Sequence, residues 1–516
     1  MLLKKCKSQL SLALYILWRD CLDSGITPDK LKAAHIIPIF KSGHQGLPSN
    51  YRPIALTSHL IKIFEKVLRN GMVKFFDDNN LFNDSQHGFR QSRSCLSQLL
   101  DQFEKVLRRL EENENVDVIY LDFAKAFDKV DYNVLLDKLM MMGIEGKILK
   151  WITSFLRDRT QQVMVNGFLS DPAKVISGVP QGSVLGPLLF LVMISDIDRD
   201  VLHSFLSSFA DDTRIGRSIK SVEDALELQK DLDRIYQWAK DNNMDFNNNK
   251  FELIRYGLNQ MIKEATSYSA PDGSLIPEKA HVKDLGVTMS NNATFSEHIN
   301  KICQKARDMC SWILRTFKSR SPILMLTLWK SLVQPILDYC SQLWCPISKG
   351  QIKQLEEVQK AFTRKIRSGQ FADYWSRLKS HKLYSQERRR ERYRIIYLWK
   401  IREDIVPPVG EGNSGIYKLH PRNGRTFDIP LAGSNIPRQI QKARDGSLLI
   451  HGAKLFNCLP KSLRNCTECS LLEFKGKLDG FLSQIPDEPI VQGYTQSHSA
   501  SSNSLIKLVP LLCKDM

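Results

Sequence analysis

Apolar residues recur along the chain at two spacings, and the shorter spacing predicts strands. Residues 116–123 are mostly apolar and either β-branched or aromatic, which is typical of a buried strand. Apolar residues on both sides of a short polar pair at 205–215 predict a strand, a tight turn and a second strand. At 163–167 an alternating apolar pattern runs into Asn-Gly, a strong signal of a β-hairpin. The middle of the chain is therefore expected to contain several strands.

The longer, helical spacing predicts most of the other elements. Asp131 is a favourable N-cap and Gly143 a favourable stop for a helix between them. Residues 43–53 are rich in Gly, Pro, Ser and Asn and are expected to form a loop. From residue 403 onward Gly and Pro become more frequent, and the last 20 or so residues are expected to be loosely ordered. The predicted helices are an amphipathic helix ending near Gly25, helices at 54–70, 132–142, 146–157, 184–200 and 221–241, and a largely helical region from 295 to about 402.

The composition is that of a globular protein. Of 516 residues, 42% are hydrophobic and 25% are charged, which excludes a wholly disordered, collagen-like or disulfide-scaffold protein. At about 150 residues per domain, the length predicts roughly three domains or one large multi-lobed enzyme.

The charge balance narrows the class of partner. Lys and Arg number 73 and Asp and Glu 56, for a net charge of +17, so nucleic acid or an anionic membrane surface is the expected partner. No membrane span is expected, because residues 185–194 are too short to cross a bilayer. Residues 10–18 imitate a signal peptide, but Arg19 and Asp20 follow without a cleavage site, so a helix is expected there.

The 11 cysteines indicate a reducing compartment. Their number is odd and their spacings do not repeat, so reduced thiols in an intracellular protein are expected rather than a secreted disulfide framework. Cys466 and Cys469 form a close pair, which is a weak zinc signal because a structural zinc site needs four ligands. Packed thiols are the expectation at both positions.

A set of acids stands where strands are expected to be buried. Asp122 ends an apolar strand, and Asp211 and Asp212 lie at the tip of a hairpin. If the two elements are neighbours, the carboxylates converge, and their repulsion would require divalent cations such as magnesium. Two such ions about 4 Å apart can activate a hydroxyl and neutralise a leaving phosphate. The alternative is a solvated Asp-Asp turn; Asp128 is expected to be solvated and Asp131 to be a helix cap.

Seven short segments resemble, in order, the motifs of reverse transcriptases. Motifs A, B and C correspond to residues 118–131 (VIYLDFAKAFDKVD), 177–187 (SGVPQGSVLGP) and 208–213 (SFADDT). The flanking segments, which resemble two fingers motifs and motifs D and E of non-LTR (LINE-type) retrotransposon polymerases, are 37–56, 86–94, 243–250 and 284–287. The resemblance covers roughly residues 30–400, and residues 452–484 resemble the C-terminal segment of jockey-like elements.

This resemblance implies an α+β fold of the right-hand polymerase type, with fingers, a palm built on an antiparallel sheet and a helical thumb. The implied domains are an N-terminal extension with fingers (1–115), a palm with motifs A to D and part of the fingers interleaved (116–280), a primer grip and basic helical thumb (281–402), and a C-terminal segment of unknown role (403–516). The first motif begins at residue 37, so there is no room for the N-terminal endonuclease domain that such polymerases usually carry. We therefore expect either a fragment or a polymerase that relies on a separate endonuclease or another retroelement protein.

The resemblance implies a role for each acid. Asp122 and Asp211 would be the principal metal ligands, Asp212 a supporting acid, and the main-chain carbonyl of Phe123 would complete one metal shell. The cofactor would be two Mg²⁺ ions, with Mn²⁺ as a substitute. Lys250 of motif D would donate a proton to departing pyrophosphate. Motif C reads FADD where many relatives have Tyr first, a change that we expect to be tolerated.

The nucleotide-binding residues follow from the same resemblance. Lys41 and Arg52 would grip the triphosphate, since Arg suits a bidentate phosphate clamp and Lys a point charge. Gln181 and Gly182 of motif B would pack near the incoming nucleotide and the template base. Phe127, five residues after the first acid, matches the aromatic steric gate that disfavours a ribose 2′-hydroxyl.

The resemblance also implies how the primer and template are held. Leu285 and Gly286 would belong to the primer grip, and the basic helices at 301–402 would bind the duplex backbone without reading its sequence. The densest basic run is 388–394. Four aromatic residues interleave with these cations and could stack on bases, but most are expected to be core: Tyr384, Tyr393, Tyr397 and Trp399.

The leading hypothesis is an RNA-directed DNA polymerase, a nucleotidyltransferase that extends a DNA 3′-hydroxyl on an RNA template with dNTPs. It is expected inside the cell, in the nucleus or cytoplasm, as a ribonucleoprotein. Three alternatives stay open: a degenerate remnant that binds nucleic acid without catalysis, an RNA-dependent RNA polymerase, and a membrane-surface protein. The intact acids count against the first, and Phe127 counts against the second.

Overall fold

The computed structural model describes residues 5–346, 348–367, 373–410, 426–429, 431, 433, 436–489 and 503–512. The strands are β1 (Ala34–Phe40), β2 (Tyr51–Leu56), β3 (Asn115–Leu121), β4 (Arg159–Val165), β5 (Phe168–Leu169), β6 (Ala173–Val175), β7 (Phe205–Phe209), β8 (Asp212–Ile219), β9 (Glu252–Tyr256), β10 (His281–Asp284) and β11 (Val287–Ser290). The α-helices are α1 (Lys7–Ser24), α2 (Asp29–Lys32), α3 (His59–Asp78), α4 (Cys95–Glu111), α5 (Tyr132–Met141), α6 (Gly146–Leu156), α7 (Gly186–Met193), α8 (Val222–Asp241), α9 (Gln260–Ala265), α10 (Ser296–Thr316), α11 (Pro322–Leu328), α12 (Gln334–Asp338), α13 (Lys349–Thr363), α14 (Tyr374–Ser380), α15 (Gln386–Arg402), α16 (Arg438–Asp445), α17 (Ala453–Asn457), α18 (Lys461–Arg464), α19 (Leu471–Leu482) and α20 (Leu505–Leu512).

These strands form three sheets. The first, which we call the palm sheet, is four-stranded and antiparallel, in the order β7-β8-β3-β9. The second, which we call the fingers sheet, has the order β2-β1-β4-β5, with β6 also paired to β4. Strands β10 and β11 form a separate antiparallel hairpin. The predicted α+β class and antiparallel palm sheet are confirmed.

Both faces of the palm sheet are buried, which explains why β3 is almost continuously apolar. Alternate side chains of a strand point to opposite faces, so Val118 and Ile119 of β3 enter different cores. Ile119 shares a core with α5, α6, α7 and α8. Val118 shares a core with α4, the β10–β11 hairpin and the C-terminal helices. The sheet that carries the predicted acids is therefore held between two packed layers.

The predicted helix at 54–70 is wrong at its start. The chain from residue 51 forms β2, which pairs with β1, and α3 begins only at His59. Pro53 is tolerated in β2 because this strand lies at the edge of its sheet. The predicted loop at 43–53 is correspondingly shorter. Main-chain pairing with β1 therefore outweighs the helical spacing of the apolar residues.

The predicted helix at 184–200 is also shorter, because α7 ends at Met193. Beyond that end, the carboxylate of Asp196 accepts hydrogen bonds from the side chains of Lys138 and Trp238. The chain turns after Met193, and these bonds to α5 and α8 hold Asp196 at the turn.

Several other local predictions are confirmed. The carboxylate of Asp131 accepts two main-chain N–H groups in the first turn of α5. The β4–β5 hairpin turns at Asn166 and Gly167, which have φ angles of 50° and 86°. The helix α1 ends at Gly25, which adopts the left-handed conformation with φ of 72°. Helices α6 and α8 lie where the apolar spacing predicts them.

The C-terminal segment packs against the predicted thumb. Its last described helix, α20, buries Leu505 and Leu508 in the core around α15, which corrects the expectation of loose order for that helix. The remainder of that prediction, residues 497–502 and 513–516, lies outside the described residues. The C-terminal segment and the thumb thus share one hydrophobic core.

The basic run at 388–394 on α15 is turned inward, which corrects its prediction as part of a duplex-binding surface. Arg388, Arg390 and Arg394 are buried, as are Tyr397 and Trp399. The helix is enclosed by the thumb and the C-terminal segment, and the guanidinium groups of Arg388 and Arg394 donate to main-chain carbonyls. The acceptors are Ile485, Pro486 and Asn503 for Arg388, and Gln342, Gly446 and Ser447 for Arg394.

Two further sequence signals concern membranes and metals. Within the described ranges, no helix is long and apolar enough to cross a bilayer. The Sγ atoms of Cys466 and Cys469 lie 3.2 Å apart. In the same described part of the chain, no three His, Cys, Asp or Glu side chains are gathered as a ready-made metal site.

Candidate active site

The three predicted acids lie near one another at one end of the palm sheet, although their side chains are not gathered as a ready-made metal site. Asp122 directly follows β3, and the register that pairs Leu121 with Thr213 places it opposite Asp212, the first residue of β8. Asp211 lies in the two-residue turn between β7 and β8. The strand-turn-strand pattern therefore presents two acids to the acid at the end of the neighbouring strand.

The ionised forms of Asp211 and Asp212 are disfavoured. Desolvation, together with the charges of Asp212 and Asp122, raises the pKa of Asp211. Desolvation also raises the pKa of Asp212, against the lowering effect of the Arg214 guanidinium. A site that disfavours neighbouring carboxylates is one in which a bound cation is favourable.

Lys250, from the predicted motif D, supplies one positive charge. Its ammonium donates to Oδ2 of Asp122 at 2.6 Å. The same segment is tied to motif A, because the N–H of Asn247 donates to the main-chain oxygen of Asp122 at 2.7 Å. The main-chain hydrogen bonds between motif A and the motif D segment are made by the residues on either side of Phe123. The carbonyl of Phe123 therefore points away from the motif D segment.

The oxygen atoms at this end of the sheet fit a hard divalent cation. Carboxylates and main-chain carbonyls are the ligands that Mg²⁺ and Ca²⁺ take in proteins, and Asp122, Phe123, Asp211 and Asp212 supply both kinds. The carboxylate of Asp122 is bonded to Lys250. A cation bound between the acids would therefore compete with this ammonium for Asp122.

Gln86 holds the turn before Asp211, a role that the sequence did not reveal. Its Oε1 accepts the main-chain N–H of Ala210 at 2.9 Å and that of Gly88 at 2.7 Å. Main-chain bonds on both sides of Gln86 join it to Ser208 of β7. A Cβ at Gly88 would lie 2.3 Å from the nitrogen of Ala210, so the close approach requires glycine. Gly88 is therefore the one feature of the sequence that could have indicated the contact between Gln86 and the turn.

The two predicted fingers cations face the acids. Arg52 lies on β2 opposite Ile39, and Lys41 directly follows β1, with its N–H bonded to the carbonyl of Asn50 at 2.8 Å. Both cations are exposed. Their charges oppose the rise in the pKa of Asp212. Acids and cations are therefore close enough to form a single electrostatic site.

Gln181 and Gly182 join the fingers sheet to motif A. The carbonyl of Gln181 accepts the N–H of Ala55 of β2 at 2.7 Å, and its Nε2 donates to Oδ1 of Asp128 at 2.8 Å. Gly182 has a φ of +127°, and a Cβ there would lie 2.5 Å from the carbonyl oxygen of Ala55. Asp128 is therefore not the solvated position that the sequence predicted: it is partly buried, and burial raises its pKa.

Phe127 stands in an aromatic cluster beside motif A. Its ring stacks on Phe190 of α7, with centroids 4.3 Å apart, and meets the edge of Phe89 at 6.1 Å. Its carbonyl accepts the N–H of Val179 at 2.8 Å, which ties it to the motif B loop. These contacts hold Phe127 between motif A, α7 and the motif B loop.

Leu285 and Gly286 form the turn of the β10–β11 hairpin. Their φ angles of 43° and 88° are both positive, as a two-residue type I′ turn requires. The hydroxyl of Tyr339 donates to the carbonyl of Leu285 at 2.8 Å. The predicted primer-grip residues are thus a tight, supported turn.

Exposed cations of the predicted thumb lie on α10 and not on α15. Lys301, Lys305 and Arg315 of this helix are exposed. Trp312, on the same helix, is 45% exposed. Exposed cations and an exposed aromatic ring on one helix are the combination that binds phosphates and stacks on bases.

Comparison with known proteins defines the class. Residues 39–289 match the family model described as "Reverse transcriptase (RNA-dependent DNA polymerase)". This range contains all the predicted site residues, from Lys41 to Gly286. Residues 39–289 thus match the reverse transcriptase family, as the order of the motifs predicted.

Relatives among curated proteins include three polymerases of Drosophila melanogaster elements. The "RNA-directed DNA polymerase from mobile element jockey" is 30% identical over 68% of this chain and 39% of its own length. The "Probable RNA-directed DNA polymerase" proteins from transposon BS and transposon X-element are 26% and 27% identical, over 70% and 66% of this chain and 41% and 38% of their own. The predicted similarity to jockey-like non-LTR elements is confirmed. The chain spans about two fifths of the length of these relatives.

Solved structures with partial likeness include two telomerases. That of Candida albicans, in complex with a fragment of telomeric RNA, has a TM-score of 0.39 at 13% identity, over 76% of this chain and 62% of its own. That of Candida tropicalis has a TM-score of 0.36 at 14% identity, over 51% and 54%. At these TM-scores the likeness supports no conclusion about function.

Proposed function

We propose that this protein is an RNA-directed DNA polymerase, which extends the 3′-hydroxyl of a DNA primer along an RNA template with dNTPs. The proposal rests on the convergence of Asp122, Asp211 and Asp212 at one end of the palm sheet. Lys41 and Arg52 face these acids from the fingers sheet. Phosphoryl transfer depends mainly on positioning and charge neutralisation, which acids and opposing cations can supply. The family of residues 39–289 and the names of the relatives support the same reaction.

The acids would hold divalent cations, Mg²⁺ by preference and Mn²⁺ as a substitute. Asp122 and Asp211 would be the principal ligands and Asp212 a supporting one, while the carbonyl of Phe123, which points away from motif D, would complete one shell. When bound, two such ions activate the primer hydroxyl and neutralise the leaving phosphate. Lys250, once released from Asp122, would protonate the departing pyrophosphate.

The incoming nucleotide would lie between the fingers sheet and the palm sheet. Arg52 would clamp the triphosphate by two parallel hydrogen bonds, and Lys41 would act as a point charge. Gln181 and Gly182 would form the wall against which the nucleotide and template base pack. Phe127, held by its aromatic stack, would exclude a ribose 2′-hydroxyl.

The primer and template would lie along the hairpin turn and α10. Leu285 and Gly286 would contact the primer near its 3′ end. Lys301, Lys305 and Arg315 would bind backbone phosphates, so affinity would fall with rising salt and depend little on sequence.

Primer extension on RNA tests this proposal and the sugar gate together. The protein, given an RNA template, a DNA primer, Mg²⁺ and dNTPs, is expected to add nucleotides and to prefer dNTPs to rNTPs. Phe127→Val is expected to raise incorporation of rNTPs relative to dNTPs about tenfold or more, because the ring no longer excludes the 2′-hydroxyl. Phe75→Val, at a partly exposed ring on α3, is the control and is expected to keep the wild-type preference.

One outcome would contradict the polymerase function, and a different outcome would contradict the sugar gate. Salt-dependent RNA binding without incorporation in Mg²⁺ or Mn²⁺ would contradict the polymerase and favour a binding-only remnant. Active enzyme in which Phe127→Val leaves the sugar preference unchanged would contradict the gate alone.

A further inference from the structure

A buried ion pair joins the palm sheet to the β10–β11 hairpin, although the two belong to separate sheets. Arg214 of β8 donates through Nη1 to the carboxylate of Asp284 on β10, and the two side chains are 1% and 3% exposed. The same Nη1 donates to Oε1 of Gln102 on α4. The guanidinium carbon lies 5.8 Å from the centre of the Tyr120 ring on β3. The pair is therefore enclosed by the sheet, a helix and the hairpin.

Each partner lies next to a different part of the candidate site. Arg214 follows Asp212 by two residues on β8, so both side chains leave the same face of the strand. Asp284 directly precedes the Leu285-Gly286 turn and pairs across the hairpin with Val287. The ion pair thus connects the strand of the acids to the turn predicted to hold the primer.

The turn is supported from its other side by Tyr339, just beyond α12. The hydroxyl of Tyr339 donates to the carbonyl of Leu285 at 2.8 Å, and a Cβ at Gly286 would lie 3.2 Å from the Tyr339 ring. Tyr339 therefore fixes the turn relative to the thumb, and Asp284 fixes it relative to the palm sheet.

This buried pair adds little to the free energy of unfolding, because the cost of desolvating two charges offsets much of their attraction. The pair instead favours the arrangement in which its two side chains are in contact. Separating them would leave an uncompensated buried charge. The palm sheet contains a second buried pair, Arg255 with Asp117, at 3.6 Å and with both side chains 3% exposed. Asp117 lies about 16 Å along β3 from Asp122, toward the other end of the strand from the acids. It offers a matched comparison for the effect of position.

We propose that Arg214 and Asp284 are positioning residues whose ion pair sets the place of the primer-grip turn relative to the acids. The chemical group that they place is the 3′-terminal nucleotide of a nucleic-acid primer, which the pair itself does not touch. The inference rests on the proposed polymerase function and deepens it by assigning primer placement to the junction of β8 and β10.

Single-nucleotide incorporation on a preformed primer–template tests this proposal. Asp284→Asn is expected to lower the incorporation rate constant between about 10-fold and 100-fold, because a displaced primer hydroxyl attacks poorly. The apparent Kd for dNTP is expected to stay within about twofold, since Arg52 lies on the fingers sheet and Lys41 directly follows its strand β1. The matched control Asp117→Asn is expected to lower the melting temperature to a similar degree while leaving the rate constant near that of the wild type.

A milder variant serves if Asp284→Asn does not fold. Asp284→Glu keeps the charge but lengthens the side chain by one methylene, so it is expected to fold, to shift the turn and to lower the rate constant. Rate constants equal to the wild type in Asp284→Asn or Asp284→Glu, or an equal loss in Asp117→Asn, would overturn the proposal. An inactive wild-type protein would instead contradict the polymerase function itself, so the two failures are distinguishable.

Discussion

Among single residues, Gln86 holds the β7–β8 turn in place through the bond of its side chain to the main chain of Ala210. Ala210 has a φ of +56°, a conformation that residues other than glycine rarely adopt. The Oε1 of Gln86 accepts the Ala210 N–H at 2.9 Å. The hydrogen bond stabilises the strained residue, and Asp211 follows it directly. The direction of the Asp211 carboxylate therefore depends on a side chain that is distant in sequence.

Gln86→Ala is expected to lower primer-extension activity about tenfold, because the Ala210 N–H loses its partner and the turn can relax. The apparent Kd for dNTP is expected to change little. Gln91→Ala, in the same segment but exposed, is the control and is expected to behave as the wild type. Full activity in a folded Gln86→Ala protein would show that the turn does not need this support.

Among the elements, the β10–β11 hairpin is attached to α10 by a neutral histidine. The Nδ1 of His298 accepts the N–H of Thr288 on β11 at 3.2 Å, and the ring meets the edge of Trp344 at 5.4 Å. Burial, followed by the charge of Lys301, lowers the pKa of His298 to about 4. Only an imidazole without a proton on Nδ1 can accept this bond. The hairpin is therefore bound to the thumb by a contact that acid disrupts.

His298 is expected to make stability depend on pH. Because the pKa of His298 falls from 6.5 to about 4 on folding, the unfolded chain binds the proton more readily between these values. The stability linked to this group is fully present above pH 6.5 and is lost as the pH falls toward 4, by at most about 3 kcal/mol. His298→Gln is expected to flatten the fall in the free energy of urea unfolding between about pH 7 and about pH 4.5.

The control for that measurement is His281→Gln, since His281 is exposed on the same hairpin. It is expected to retain the wild-type dependence on pH. A wild-type slope in His298→Gln would show that other buried groups govern acid unfolding.

In the whole molecule, positive charge has two separate roles. On α15, Arg388 bonds main-chain carbonyls near the end of α19 and the start of α20, so it fastens the C-terminal segment to the thumb. On α10, Lys305 and Arg315 are exposed. Some of the arginines that contribute to the net charge of +17 are therefore buried and not available to nucleic acid.

One substitution on α15 and one on α10 distinguish the positive charge that stabilises the fold from the positive charge that is exposed. Arg388→Met is expected to lower the free energy of unfolding by roughly 3 kcal/mol or more, because it leaves three carbonyls without their donor. Arg315→Ala is expected to change stability by less than about 0.5 kcal/mol but to reduce the salt dependence of RNA binding by about one phosphate contact. If the salt dependence of RNA binding were reduced in folded Arg388→Met and unchanged in Arg315→Ala, this separation of the two roles of positive charge would be contradicted.

Local spacing predicted the parts of the site that lie within a few residues of one another. The acid at the end of β3 and the acid pair in a turn were predictable because strand and turn signals are local. The grip of Gln86 on Ala210 and the Arg214–Asp284 pair join residues far apart in sequence. The inward face of α15 was not predictable either, because arginines on a helix have the pattern of a solvated surface.

The most direct test of the central claim is RNA-templated primer extension by Asp211→Asn. This variant keeps the size and hydrogen-bonding capacity of the side chain but removes the charge that would hold a divalent cation. We expect incorporation to fall roughly 100-fold or more, with RNA binding and melting temperature retained. Asp233→Asn, on the exposed face of α8, is the matched control and is expected to keep full activity. Full incorporation by Asp211→Asn would contradict the assignment of this end of the palm sheet as the catalytic site.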